Sequence, residues 1–452
     1  MTSHALRRSP AWLALALLVA GCAAAPMPKP APPVVTASAP AEPVREVLPN
    51  GVVLIAKEDR GSEVVAVQLW MRVGGRDEAP DELGLSHYLE HMLFKGTPAR
   101  PPGSIDRLIE GLGGQSNAFT NYDTTHYDVV VPAQHVRAAL ELLADIAVNA
   151  TFDQEELDRE RQVVFEEMRL TQDNPDRFLI RRVYELGYEP HPYGRPLLGT
   201  RELIGSLTRE RLRAYYKKRY VPANMAVMVV GAVPVAQAHA LVADTFGRLA
   251  PGQAPRAPLP PLPALDATRR ADVRRPEQQA YLGLAWRAPA TSDSDTYAVD
   301  LLTYILGDSP SSRLNQAVRE RGRLVFSIDA DYGAWDRSGL VTVKSRLAAA
   351  NLDAAEASIL EVVRRVRAEG VTDAELRRAL VTAESNYAFD IETAEGLAKD
   401  YGQAETTWTL ADELAYLGRL RTITREQVQA AARKYLGDEN YARVKFVPEA
   451  RP

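Results

Sequence analysis

At 452 residues the chain exceeds what one ordinary hydrophobic core fills and suits two domains of roughly 200 residues each. Its composition, 46% hydrophobic and 25% charged, is that of a soluble globular protein, and a formal net charge of -5 argues against nucleic acid as the main partner. No apolar run long enough to span a bilayer follows the N-terminus.

The first residues read as a targeting segment. Arg7 and Arg8 precede an apolar run over residues 11–20, too short to cross a membrane and typical of a secretory signal, while Ser9 and Pro10 speak against twin-arginine export. The run ends in Leu18-Val19-Ala20-Gly21-Cys22, which resembles a bacterial lipoprotein box. That resemblance implies a signal peptide over residues 1–22, lipid attached to Cys22, and, with Ala23 following, a place in the periplasm on the inner leaflet of the outer membrane. Cys22 is the single cysteine, so no internal disulfide is possible. Residues 23–43, rich in Ala and Pro, read as an extended tether.

Residues 47–57 and 64–73 are β-rich runs joined by a polar turn, predicting a hairpin-like start. Residues 84–96 follow: Gly-Leu-Ser-His-Tyr-Leu-Glu-His-Met-Leu-Phe-Lys-Gly. Ser86 reads as a helix cap and Gly96 as its stop. Positions i and i+4 stack on one helical face, so His87 and His91 can converge on one cation with Glu90 leaning toward the same spot. Two neutral nitrogens to hold a metal and a carboxylate to take a proton from water are the parts of a hydrolytic metal site, in the inverse order of the His-Glu-x-x-His helix.

A second helix is predicted over residues 104–112, and the run through Asn117, Ala118, Phe119 and Thr120 has strand character; as an edge near a metal it could pair with an extended peptide. Residues 154–184 predict one long helix with an apolar stripe through Leu157, Val164 and Met168. Glu160 and Glu167 fall on that stripe, seven residues apart. Carboxylates there are costly unless paired or metal-bound, so one of them is a candidate third ligand, and Glu166 points elsewhere.

These residues resemble the pitrilysin and insulysin family of inverted-motif zinc peptidases, nearest in length to the bacterial branch similar to mitochondrial processing peptidase. His87-Tyr88-Leu89-Glu90-His91 matches the family's two histidine ligands and catalytic glutamate, and Glu160 to Met168 matches its distal helix with Glu167 in the ligand place. The resemblance implies Zn2+ as cofactor, Glu160 assisting ligand orientation or catalysis, and substrate pairing along Asn117, Ala118 and Phe119. It also implies an α+β fold of two related halves, each a mostly antiparallel sheet covered by helices, facing each other like a clam shell. His191 lies in a further matching segment and reads as positional; His126 and His135 read as ordinary strand or surface histidines.

The first domain is expected over residues 44–250, a Pro-rich linker over 251–276 and a second domain over 277–452. Ile423-Thr424-Arg425-Glu426 echoes Leu207-Thr208-Arg209-Glu210 ahead of a helix and a strand, as two halves of one design would. No His-x-x-Glu-His recurs in the second half, so one metal site per chain follows. Family peptidases place an arginine and, seven residues on, a tyrosine that reach the substrate; here those positions are Arg319 and Phe326. The missing phenol leaves three readings open: Tyr332 substitutes, a partner chain supplies it, or Phe is tolerated in a complete homodimer. The expected function is a lipid-anchored periplasmic zinc endopeptidase acting on peptides or small unfolded proteins, as a homodimer or with a related subunit. The alternatives are a non-catalytic scaffold on the same fold and the metal-bearing subunit of a heteromeric peptidase.

Overall fold

The computed structural model describes residues 42–253, 256 and 258–449; the signal segment, Cys22 and the tether as far as residue 41 lie outside the described residues. The first half runs β1 (Val44–Val47), β2 (Val53–Glu58), β3 (Val64–Met71), α1 (Leu85–Leu93), α2 (Ser104–Gly111), β4 (Gln115–Thr120) and β5 (Thr125–Pro132). It continues with α3 (Val136–Asn149), α4 (Gln154–Asp173), α5 (Pro175–Tyr188), α6 (Arg201–Gly205), α7 (Arg209–Arg219), β6 (Met225–Gly231) and α8 (Val235–Asp244). The second half begins with β7 (Arg269–Arg275), β8 (Ala280–Ala288), α9 (Thr296–Gly307), a π-helical segment at Asn315–Arg321, β9 (Val325–Ala334) and β10 (Gly339–Leu347). It closes with α10 (Leu352–Glu369), α11 (Asp373–Asp390), α12 (Ala394–Thr407), α13 (Leu410–Leu420), α14 (Arg425–Tyr435) and β11 (Ala442–Pro448).

One sheet has six strands in the order β1-β2-β6-β3-β5-β4 and the other five in the order β7-β11-β8-β10-β9. Shifted along the chain, β2-β6-β3-β5-β4 becomes β7-β11-β8-β10-β9, and the single parallel pair of each sheet, β2 with β6 and β7 with β11, falls at the same place. The fold is therefore α+β with two related halves. The Thr208 and Thr424 side chains cap α7 and α14, the helices that lead into these corresponding strands.

Three sequence expectations are corrected. The two β-rich runs at the start are not a hairpin: β6, buried along its whole length, lies between β2 and β3. Its unbroken apolar run Met-Ala-Val-Met-Val-Val suits a strand covered on both faces. The predicted long helix is two, because Pro175 cannot continue α4; Asn174 takes an extended conformation, and its side chain accepts from Arg177 N to start α5. The stretch 251–276 is not all linker, since β7 occupies its end and pairs with β11.

Strand alternation divides each sheet into two apolar faces. One face of the first sheet (Leu54, Val67, Leu69, Tyr127, Val129, Val229) packs on helices of its own half. Its other face (Ile55, Ala66, Trp70, Met228, Val230) is covered by Leu397, Ala398 and Tyr401 of α12, from the second half. Reciprocally, the outer face of the second sheet (Tyr281, Ala285, Val444, Phe446) is covered by Leu179, Val183 and Tyr188 of α5, from the first. A glycine permits each approach: a Cβ at Gly402 of α12 would meet the Trp70 indole at 2.1 Å, and one at Gly283 of β8 would meet Val183 at 2.6 Å. With this exchange the described residues from Glu42 to Glu449 belong to one compact unit. Among the described residues no helix is long and apolar enough to cross a membrane.

Candidate metal centre

α1 starts at Leu85, so Ser86 sits inside the first turn instead of capping it, and its hydroxyl pairs with that of Tyr215 at 2.8 Å. The cap comes from farther back: the buried Glu78 carboxylate accepts from Gly84 N at 2.9 Å and Ser86 N at 2.7 Å, satisfying donors at the helix start. The helix ends at Leu93 with Phe94 beyond it, so Gly96 is not its stop; the Gly96 carbonyl accepts from Thr151 N at 3.1 Å. Leu85, Tyr88, Leu89 and Met92 are buried in the first core, which turns His87, Glu90 and His91 outward on the remaining face. On α4, Leu157 and Val164 are buried and Glu160 and Glu167 share that face, whereas Glu166 is exposed and bound to Arg169.

α1 packs against α4, and one Glu167 oxygen lies 3.4 Å from His87 Nε2 and 3.5 Å from His91 Nε2. One ligand atom from each of His87, His91 and Glu167 lies within 4.8 Å of the others, the only such group of three among the described residues. Behind His91, Glu160 meets Nδ1 at 2.9 Å and the Lys95 ammonium at 2.8 Å. The carboxylate can only accept, so that contact holds a His91 proton on Nδ1 and aims Nε2 at Glu167. His87 Nδ1 is buried without a partner, and burial, with His91 alongside, lowers the His87 pKa to about 4, so the ring is neutral at ordinary pH. Burial acts to lower the His91 pKa, but its hydrogen bonds to Glu160 and Glu167 outweigh that and raise it to about 9, so metal binding displaces a proton from that ring. Two imidazoles, neutral once they bind, and a carboxylate converging from two helices are a donor set that fits zinc with a position left open.

Glu90 accepts from the Thr120 hydroxyl at 2.6 Å. Burial raises its pKa to about 7, opposed by that hydrogen bond. A cavity of about 980 Å³ opens here; His87 and Glu90 line it together with Ala118, Phe119 and Thr120 of β4. Among the described residues β4 is bonded only to β5, which leaves its other edge without a strand partner there, and Asn117 on it is exposed. Tyr122, Tyr184 and Trp335 line the same cavity, the last brought from the β9–β10 connection of the second half.

The structure does not bring the remaining expected residues to this cavity. Arg319 and Phe326 are exposed, in the π-helical segment and on β9, the edge strand of the second sheet, and neither lines it. Tyr332 does not substitute, because its hydroxyl bonds with Thr296 and the Pro289 carbonyl, both at 2.8 Å. His126 is buried between the rings of Trp70 and Phe119, His135 sits in a short turn beside Gln134, and His191 Nδ1 accepts from Tyr193 N. Glu78, Lys95 and Trp335 escaped the sequence reading; an acidic residue shortly before a helix without a good cap was the available signal for Glu78, and the others depend on tertiary contacts.

Residues 53–201 match the family model described as Insulinase (Peptidase family M16), and residues 206–381 match the model described as Peptidase M16 inactive domain. The chain belongs to peptidase family M16. It is 30% identical over 400 residues to the uncharacterized zinc protease YmxG of Bacillus subtilis, covering 87% of this chain and 95% of that one. A protease from Helicobacter pylori shares the fold at a TM-score of 0.85 and 24% identity, over 90% of this chain and 99% of that one. The periplasmic protease PqqL of Escherichia coli does so at a TM-score of 0.74 and 22% identity, over 90% of this chain but 47% of PqqL.

Proposed function

We propose that this protein is a zinc-dependent metalloendopeptidase in which His87, His91 and Glu167 hold the metal and Glu90 is the catalytic base. The observation that carries the reading is the convergence of three ligand atoms within 4.8 Å, one of them from His87, which with Glu90 lines a cavity walled by the edge strand β4. The zinc protease name of a relative at 30% identity supports the choice of metal.

Zinc held there supplies Lewis acidity toward a peptide carbonyl and toward water. Glu90, steadied by Thr120, takes a proton from the attacking water and returns it to the departing amine. Glu160 fixes the His91 tautomer and is a positioning residue, the first of the two roles the family resemblance implied. The free edge of β4 holds the substrate extended by adding it to the sheet, with Ala118, Phe119 and Thr120 on the cavity side and Asn117 at the outer rim.

Arg319 and Phe326 lie away from the cavity, and the chain corresponds to about half of PqqL. Both observations favour a chamber completed by a second copy or a related subunit. In one arrangement the protein is a homodimer; in the other it is the metal-bearing member of a heteromeric peptidase. Lipid attachment at Cys22 would hold it in the periplasm, a reading that rests on the sequence of the leader alone. A scaffold without turnover would have no use for a preserved donor set.

The test is cleavage of a quenched-fluorescent peptide library by protein starting at Ala23. Cleavage is expected with zinc, lost on chelation and restored by zinc; Glu90→Gln is expected to keep the metal and lose at least 10²-fold in rate, about the scale of removing a positioned base. Parent-rate cleavage by Glu90→Gln would sink the base assignment, and a parent inert with zinc would favour the scaffold.

A further inference from the structure

The cavity beside the metal centre has a second wall whose chemistry differs from the catalytic one. Arg177, Ile180, Arg181 and Tyr184 of α5 all line it, and their spacing of i, i+3, i+4 and i+7 puts them on one helical face. The opposite face, with Leu179 and Val183, is spent on the second sheet. The helix is thus a partition, apolar toward the sheet and cationic toward the cavity.

Among the side chains that line the cavity, cations outnumber carboxylates. Arg195 and Lys344 line the cavity too, and Asp176 is the one carboxylate there besides Glu90. Arg181 shares Glu185 with Arg182, Arg195 donates to a backbone carbonyl, that of Glu78, at 2.7 Å, and Lys344 has Asp329 at 3.5 Å. Arg177 forms no ion pair among the described residues. It also stands in the first turn of α5, where a cation opposes the helix dipole, so helix stability gives no reason for it. A concentration of positive charge in the working cavity of a chain with net charge -5 is a feature of the site and not of the overall composition.

We propose that Arg177 and Arg181 are specificity-determining residues that receive a carboxylate of the peptide substrate, so that the protein prefers acidic peptides. This rests on the peptidase reading for its meaning but not for its measurement. A guanidinium pairs with a carboxylate through parallel N–H donors, and the open cavity lets salt weaken the pairing. The carboxylate can be an acidic side chain or the peptide C-terminus, two sources with one chemistry.

The experiment uses zinc-loaded Glu90→Gln protein and fluorescein-labelled dodecapeptides in matched pairs, one series with Glu or Gln at each position in turn, another with a free or amidated C-terminus. Fluorescence anisotropy is expected to show about tenfold tighter binding of at least one carboxylate-bearing member, roughly 1.4 kcal/mol, with the difference shrinking as salt is added. The pair that shows it identifies the source. In the Arg177→Gln/Arg181→Gln background the preference is expected to vanish while the neutral peptide binds as before, and Arg177→Lys is expected to keep part of it. Equal binding within every pair by the parent, or an undiminished preference in the double variant, would overturn the proposal. Should the double variant fail to fold, the parent's preference and its salt dependence still decide. If the parent cleaves no peptide with zinc present, the peptidase reading fails while the binding preference remains measurable.

Discussion

Glu160 stands behind His91 and away from the cavity, held between that ring and the Lys95 ammonium. A carboxylate in this position fixes a ligand's tautomer and raises its basicity, effects that show in metal affinity before chemistry. Glu160→Gln is therefore expected to weaken zinc binding by roughly 10- to 100-fold, measured by competition with a chromogenic chelator, and to restore near-parent cleavage at saturating zinc. An unchanged affinity with a collapsed rate would instead assign Glu160 to the reaction. Sequence periodicity could put Glu160 and Glu167 on one stripe but not rank them, because both lie on the same helical face. What separates them is the offset between α1 and α4, which brings Glu167 toward both Nε2 atoms and Glu160 toward a single Nδ1.

The helix carrying both histidines depends on a residue outside it. Glu78 accepts two backbone donors at the start of α1 from a buried position. Glu78→Ala would leave both donors unsatisfied and is expected to cost about 2 kcal/mol, read as a lower unfolding midpoint in denaturant, with Glu78→Gln intermediate. A midpoint within error of the parent would show that water replaces the cap. The metal-site helix was legible because its signal is local: three residues of fixed spacing, His87, Glu90 and His91, on one short element. The hairpin prediction for β2 and β3 failed for the complementary reason, since β6 arrives from far along the chain and local turn chemistry carries no trace of it. The break at Pro175 is the opposite case: a proline is a local stop signal, and the periodic stripe through Leu157, Val164 and Met168 outweighed it in the expectation of one long helix.

Over the whole chain, length, the echoed helix starts and the family resemblance pointed to two related halves, and the strand order of the two sheets bears that out. Their interlocking was not legible, because the apolar faces of α5 and α12 look the same whichever sheet they cover. Each half leaves a sheet face to the other's helix, and Glu405 of α12 bridges to Arg45 and Arg72 of the first half. Separately expressed halves, residues 42–250 and 251–452, are each expected to be poorly folded by circular dichroism, and co-expression to recover a soluble complex. An independently folded first half with a sharp unfolding transition would contradict the interlock. The site itself spans only first-half elements, α1 and α4, and everything proposed about turnover requires that they share one ion. The most direct measurement is zinc per chain by mass spectrometry of purified parent and Glu167→Ala protein after dialysis against submicromolar zinc. One equivalent in the parent and a near-complete loss in the variant is the expected result; a parent without zinc, or a variant that retains its full equivalent, would contradict the account.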